Sequence, residues 1–199
     1  MKKIIVLFCV LISLKAFSQN ADTSDFFRVG LYGGSLVSPS YTLVEKNKYL
    51  NSISLETEYV KFKFLSFYVR GIYQFTNLYL DNNYETLVET PSHYHIAVSF
   101  GAKYYLADKN IKPYLKLGLN HETDYIDSYT VFYNGGGSYN TRGNWNYYYS
   151  LNFGVGLNVR LNNKFSADIQ YDLYRNFLTE YDYFRGFSVL AGIKYNIFY

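Results

Sequence analysis

The chain has 199 residues, with 49% hydrophobic and 21% aromatic content, 19 Lys and Arg against 16 Asp and Glu, and only 3 Pro. Apart from the extreme N-terminus no run of about 18 apolar residues exists, which excludes membrane-spanning helices, and the composition is far from the low-hydropathy, high-charge signature of disorder. One all-β domain remains, and its mean hydropathy of -0.16 leaves open which solvent surrounds it.

Lys2 and Lys3 precede an apolar run from Ile4 to Leu14, and Ala16-Phe17-Ser18 offers a small-x-small cleavage site. Residues 1–18 therefore read as a secretory signal peptide, exported through the Sec route. Cys9 lies inside the apolar run instead of at its end, so lipidation is not expected. Removing residues 1–18 takes away Lys2, Lys3 and Lys15 and no acid, which leaves 16 basic against 16 acidic residues. The basic sequence pI thus belongs to the precursor, and nucleic acid is not an expected partner. With Cys9 gone, disulfides, thiol chemistry and cysteine-based metal sites are excluded as well. Residues 19–25 are expected to form a short periplasmic lead-in and residues 26–199 the folded domain.

From there the chain alternates with period two. Phe27, Val29 and Leu31 alternate with Arg28, Gly30 and Gly34, and Ile53, Leu55 and Tyr59 with Ser54, Glu56 and Glu58. Leu65, Phe67, Val69, Tyr73 and Phe75 alternate with Ser66, Arg70 and Gln74. Next come Tyr94, Ile96, Val98, Phe100, Ala102, Tyr104 and Leu106 against His95, Ser99, Gly101 and Lys103, then Pro113, Leu115, Leu117 and Leu119 against Lys116, Gly118 and Asn120. The longest stretch is Trp145 to Leu161, with an aromatic and aliphatic face opposite Asn146, Ser150, Gly154, Asn158 and Arg160. Phe165 to Leu173 carries Ser166, Asp168, Gln170 and Asp172 on its polar face, and Phe187 to Tyr199 carries Ser188, Gly192 and Lys194. Eight strands result, several long enough for a tilted membrane crossing of about 9 to 11 residues. The polar faces are rich in Gly, Ser and Asn beside isolated charges, as a crowded narrow lumen requires. A soluble sandwich would instead bury its apolar face. The expected fold is an eight-stranded antiparallel up-and-down transmembrane β-barrel.

Connections alternate in length. Lys61 to Phe64, Ala107 to Ile111 and Asn162 to Lys164 are short, while Val37 to Ser52, Asn77 to Ser92, Glu122 to Asn144 and Tyr174 to Phe184 are long. Short turns face the periplasm in such barrels, so both termini are expected there and the long loops outside. The loops carry net charges of +1, −3, −2 and −1 in chain order. Leu161 and Phe165 share a face, which predicts a three-residue hairpin loop with Arg160 opposite Ser166 and Asn158 opposite Asp168. An Asn or the Lys of that loop should then adopt the left-handed conformation.

On the start Phe27-Arg28-Val29-Gly30-Leu31-Tyr32-Gly33-Gly34, the hairpin from Tyr104-Tyr105-Leu106 to Lys112-Pro113-Tyr114-Leu115 and the end Gly192 to Tyr199, the chain resembles the small outer-membrane β-barrel domains of the OmpA/OmpX type, particularly those of Bacteroidota. The resemblance covers residues 26–199. It implies the outer membrane of a Gram-negative bacterium and a scaffold with variable loops, and it assigns no activity.

Inward parity places Arg28, Arg70, Lys103, Lys116, Arg160 and Lys194 in the lumen with Glu56, Glu58, Asp168 and Asp172. In a barrel too narrow for an aqueous channel these read as an ion-pair ladder; a catalytic carboxylate pair or a narrow ion path is the alternative. His93, His95 and His121 gather at the loop end, where the pairing set by the turn at Ala107 to Ile111 brings His95 near Asp124 and His121 near Val98. They read as rim residues, against transition-metal capture or a hydrolytic site acting on outer-leaflet lipid, for which no partnered serine is found. Asp81-Asn82-Asn83 with Glu85 is a weak oxygen cluster for cation bridging to lipopolysaccharide phosphate, and Gly135 to Gly137 reads as flexibility. Tyr125, Tyr129, Phe132, Tyr133 and Tyr139 are the loop candidates for binding an unknown surface ligand. Outward rings form two interfacial bands, Tyr73, Phe75, Tyr94, Trp145, Tyr147, Tyr149 and Phe187 toward the loops and Phe27, Tyr59, Phe67, Tyr104, Phe165, Tyr195 and Tyr199 toward the turns. Ile193, Tyr195, Ile197 and Tyr199 look like the terminal signal read by barrel-assembly machinery. No catalytic residue, metal or cofactor is expected. The expected partners are membrane lipid, lipopolysaccharide and the assembly machinery, and the chain is expected to act as a monomer.

Overall fold

The computed structural model describes residues 26–37, 49–77, 85–87, 92–133, 136–176 and 184–198. Eight long strands close a barrel: β1 (Phe26–Val37), β2 (Tyr49–Val60), β3 (Leu65–Asn77), β5 (Ser92–Tyr105), β6 (Ile111–Ile126), β9 (Asn144–Arg160), β10 (Phe165–Asn176) and β11 (Phe184–Phe198). Neighbours in sequence are neighbours in the wall, all antiparallel, and β1 pairs with both β2 and β11 to complete the ring. Closure leaves no edge strand in the wall to template aggregation. Three short strands, β4 (Glu85–Leu87), β7 (Tyr129–Tyr133) and β8 (Ser138–Thr141), form a separate sheet in the order β4-β7-β8, built from the second and third long connections.

The alternation decides which face meets which solvent. One residue near mid-height on every wall strand, Leu31, Leu55, Val69, Phe100, Leu117, Val155, Ile169 and Ile193, leaves more than half its surface exposed. The buried set is mostly polar or charged and fills the interior. Such an arrangement is stable only where the outside is hydrocarbon, because in water the exposed aliphatic belt would be unfavourable by about 25 cal/mol per Å².

The wall strands outrun the alternation at the loop end. β6 continues through Ile126 and pairs with β9 up to Asn144, and together with β7 and β8 this makes most of the expected loop from Glu122 to Asn144 strand. Here the inward positions are Glu122 and Asp124, and in sequence such acids read as loop. Gly136 (φ 86) and Gly137 (φ 115) then turn the chain between β7 and β8. Their positive φ values suit the connection from β7 to β8; Gly135 lies outside the described residues. A correction concerns the β9–β10 turn. Its register is the expected one, with Arg160 opposite Ser166 and Asn158 opposite Asp168, but no described residue other than glycine has a positive φ. The Asn162 side chain does the work instead, its Oδ1 accepting the Lys164 and Phe165 backbone N–H groups, each at 2.8 Å.

Candidate functional site

Pairing across the wall positions each lumen charge. Arg70 stands opposite Glu56 on β2 and donates to its Oε2 from Nε at 3.0 Å and Nη2 at 2.5 Å. It also crosses the lumen to Asp172 at 3.1 Å and Gln170 at 2.6 Å. Lys103 and Lys116 face each other directly on β5 and β6, a like-charge pair that would repel, and they swing apart. Lys103 reaches Glu56 at 2.5 Å and lies 3.7 Å from Glu58, and Lys116 reaches Asp172 at 2.8 Å over Gly154. Lys194 ties Glu58 and Asp168 together, at 2.7 Å each. Arg28 lies 3.5 Å from Glu58 and donates to the Tyr105 hydroxyl at 3.1 Å. Arg160 does not join this cluster. It is exposed at the turn end, bonded to Asn163 Oδ1 at 2.5 Å and the Asn162 carbonyl at 3.4 Å, because the wall ends at its own residue and leaves the side chain outside.

Sequence reasoning passed over the inward tyrosines. Tyr32, Tyr68, Tyr105, Tyr114 and Tyr174 are all buried. Their rings cover cations: Arg70 lies 5.2 Å from the Tyr32 centroid, Lys116 4.8 Å from Tyr68 and Lys103 5.0 Å from Tyr114. With Arg160 outside, five cations meet four carboxylates, and ring faces offset the remaining positive charge in a medium that excludes water. Glycines on nearby strands make room, since a methyl at Gly118, Gly156 or Gly192 would collide with Tyr68, Tyr114 or Tyr32 respectively. The signal was parity: tyrosine at a polar-face position, with glycine one or two strands away.

Nearer the loops, His95 Nδ1 bonds Asp124 and its Nε2 lies 3.6 Å from Glu122. Glu122 in turn accepts from Ser150. The carboxylate thus separates imidazole from hydroxyl, whereas nucleophilic catalysis needs them in contact. His121 faces outward and packs on Tyr149 with centroids 4.9 Å apart, so His95 and His121 lie on opposite faces of the wall. His93 falls on β5, but its side chain lies outside the described residues, as do residues 81–84. Among the described residues no group of three His, Cys, Asp or Glu is placed to hold a metal.

At the loop end the five ring candidates separate. Tyr125 is part of the barrel wall, not the loop cluster: it stacks outward between Tyr94 (6.5 Å) and Trp145 (4.5 Å), because β6 runs on past it. Phe132 is exposed on β7 opposite Thr86 and Ser138. Tyr129, Tyr133 and Tyr139 lie on β7 and β8, their side chains outside the described residues. In the last strand Ile193 and Tyr195 are exposed and Ile197 is half-buried; Tyr199 lies outside the described residues.

No protein-family model matches the chain, and no curated protein matches it. Solved structures do. The outer-membrane protein OprG from Pseudomonas aeruginosa superposes with a TM-score of 0.61 at 9% identity, over 89% of this chain and 97% of that one. Neisserial surface protein A gives 0.54 at 16%, over 87% and 97%. The attachment invasion locus protein Ail of Yersinia pestis gives 0.52 at 14%, over 87% and 98%, and a second Ail structure holds the heparin analogue sucrose octasulfate. The fold is that of the small eight-stranded outer-membrane barrels. At such identities the likeness concerns architecture alone.

Proposed function

We propose that the chain is a non-enzymatic, monomeric scaffold of the Gram-negative outer membrane that presents its long loops to the exterior, with short turns and both termini in the periplasm. The observation that carries this reading is the division of labour in the fold. The interior is occupied by mutually bonded charges and rings, the exterior belt suits lipid, and the β4-β7-β8 sheet stands outside both. That sheet, with Phe132 and the tyrosines of β7 and β8, is the surface proposed to bind a partner or to support envelope integrity, and tyrosine supplies contact area at low entropic cost. Ail is named for attachment, and a comparable use of the loop end is proposed here with a different partner chemistry. The loops sum to a net negative charge, so a polyanion such as lipopolysaccharide phosphate would be held through bridging divalent cations instead of a basic patch.

Replacing residues 129–141 with a short Gly-Ser linker should leave a folded barrel and abolish surface binding of whole cells to their target. The lipid A of a deletion strain, and of strains carrying His95→Ala or His121→Ala, should match wild type by mass spectrometry. An acyl or phosphate pattern that tracks either histidine would replace the scaffold with a lipid-modifying enzyme.

A further inference from the structure

At the turn end of the barrel a half-enclosed cavity of about 180 Å³ is lined by Arg28, Lys112, Asn158, Arg160, Asn163, Ser166 and Asn196. The described lining holds three cations and no carboxylate. Arg28 forms the floor, buried to 7% exposure and anchored by Tyr105 and Glu58. Lys112 is held at the rim by Asp108 at 2.8 Å. Arg160 differs from both, since among the described residues its partners are neutral oxygens of Asn162 and Asn163. A guanidinium at a cavity mouth with no acid beside it suits a planar two-oxygen anion, which it can meet with two parallel N–H bonds.

Asn196 narrows the class of anion. It is 8% exposed, its Nδ2 donates to the Asn163 carbonyl at 3.1 Å, and its Oδ1 is buried without a hydrogen-bond partner. The Nδ2 bond fixes the orientation of the amide, because the flipped form would set two oxygens against each other. The cavity thus offers cations for an anion and one acceptor for an N–H donor. A phosphate monoester dianion, which carries no proton to donate, supplies only the first. A peptide end supplies both, its carboxylate and the adjacent amide N–H, and the volume matches about six waters at roughly 30 Å³ each, enough for one small residue.

We propose that this cavity binds the carboxylate end of a peptide, with Arg160 and Lys112 taking the carboxylate and Asn196 Oδ1 accepting the amide N–H. In the orientation proposed above the site faces the periplasm; the binding itself does not depend on that orientation.

The test is calorimetric titration at pH 8 of the folded full chain in detergent with N-acetyl-alanine, acetate and methyl phosphate, which is a donor-free dianion at that pH. N-acetyl-alanine should saturate the protein at a ratio of one and bind at least about tenfold more tightly than either smaller anion. Arg160→Gln, at an exposed position outside the buried ion pairs, should weaken N-acetyl-alanine at least about tenfold, with the heat-modifiable gel shift unchanged. Asn196→Leu should abolish the preference of N-acetyl-alanine over acetate. Equal or tighter binding of methyl phosphate would overturn the peptide assignment in favour of a simple anion site. No saturation in the millimolar range, or affinity indifferent to Arg160→Gln, would overturn the site altogether.

Discussion

Asp168 shows how little freedom a lumen residue has. Its two oxygens take Lys194 at 2.7 Å, the Tyr114 hydroxyl at 2.7 Å and Asn158 at 3.3 Å. Asp168→Asn leaves a buried ammonium short of one carboxylate, and should destabilise the barrel by about 3 kcal/mol in urea unfolding from lipid vesicles. Asp108 is the contrasting case, a partly exposed acid in the β5–β6 turn that draws Lys112 and Lys63 together. Hydrogen bonds from Lys112 and Lys63 hold its carboxyl below the usual range despite partial burial. A depressed acid stabilises the fold above its ordinary titration range and loses that contribution as pH falls through the folded value. The unfolding midpoints of wild type and Asp108→Asn should therefore differ slightly at pH 7 and converge as the pH falls below the ordinary aspartate range. The inward positions of Arg28, Glu56, Glu58, Arg70, Lys103, Lys116, Asp168, Asp172 and Lys194 were legible because parity alone decides their face. Arg160 was not, because parity does not say where the wall stops, and the inward tyrosines were passed over because a ring with a hydroxyl fits either face.

Elements succeed or fail at their ends. Between β9 and β10 a single side chain closes the turn, so Asn162→Ala should remove both Oδ1 bonds and cost about 1 to 2 kcal/mol, read as an earlier urea midpoint with an unchanged slope. If the loss were absent, the turn would be held by the backbone bonds from Leu161 and Asn162 to the Phe165 carbonyl, at 3.0 and 3.1 Å. β11 ends on the rung that pairs Phe198 with Phe26 and completes the ring. Deleting Phe198 and Tyr199 should sharply lower outer-membrane levels of the protein if Ile193, Tyr195, Ile197 and Tyr199 guide assembly; unchanged levels would leave them as interfacial residues only. Strand identity was readable across the wall, and register at the two pairs where a short turn set it, β9–β10 and β5–β6. The extra length of β6 was not, because Glu122 and Asp124 stand as acids at the start of a long connection, even though the β5–β6 pairing read from the short turn already set His95 beside Asp124, as observed. The β4-β7-β8 sheet was also invisible, since it depends on two connections meeting in space.

Taken as one body, the molecule combines a continuous lipid-facing belt with an interior that leaves no room for bulk water at mid-height. Arg70, Lys103, Lys116, Glu56 and Asp172 are each buried to 3% exposure or less, and the Tyr68 and Tyr114 rings lie among them. An ion entering this level must separate a pair of charges at about hydrogen-bond distance, and in a low-dielectric setting that separation costs several kcal/mol. Purified protein in planar bilayers should therefore show no stable conductance of porin size. Tyr68→Ala combined with Tyr114→Ala removes the two rings while keeping every formal charge, so it opens space without breaking the charge balance. Brief, small conductance steps in that double variant, absent from wild type, would locate the barrier in the packed rings and ion pairs. Porin-like conductance in the unaltered protein would mean that the interior rearranges in a bilayer, and the closed-scaffold reading would give way to a pore.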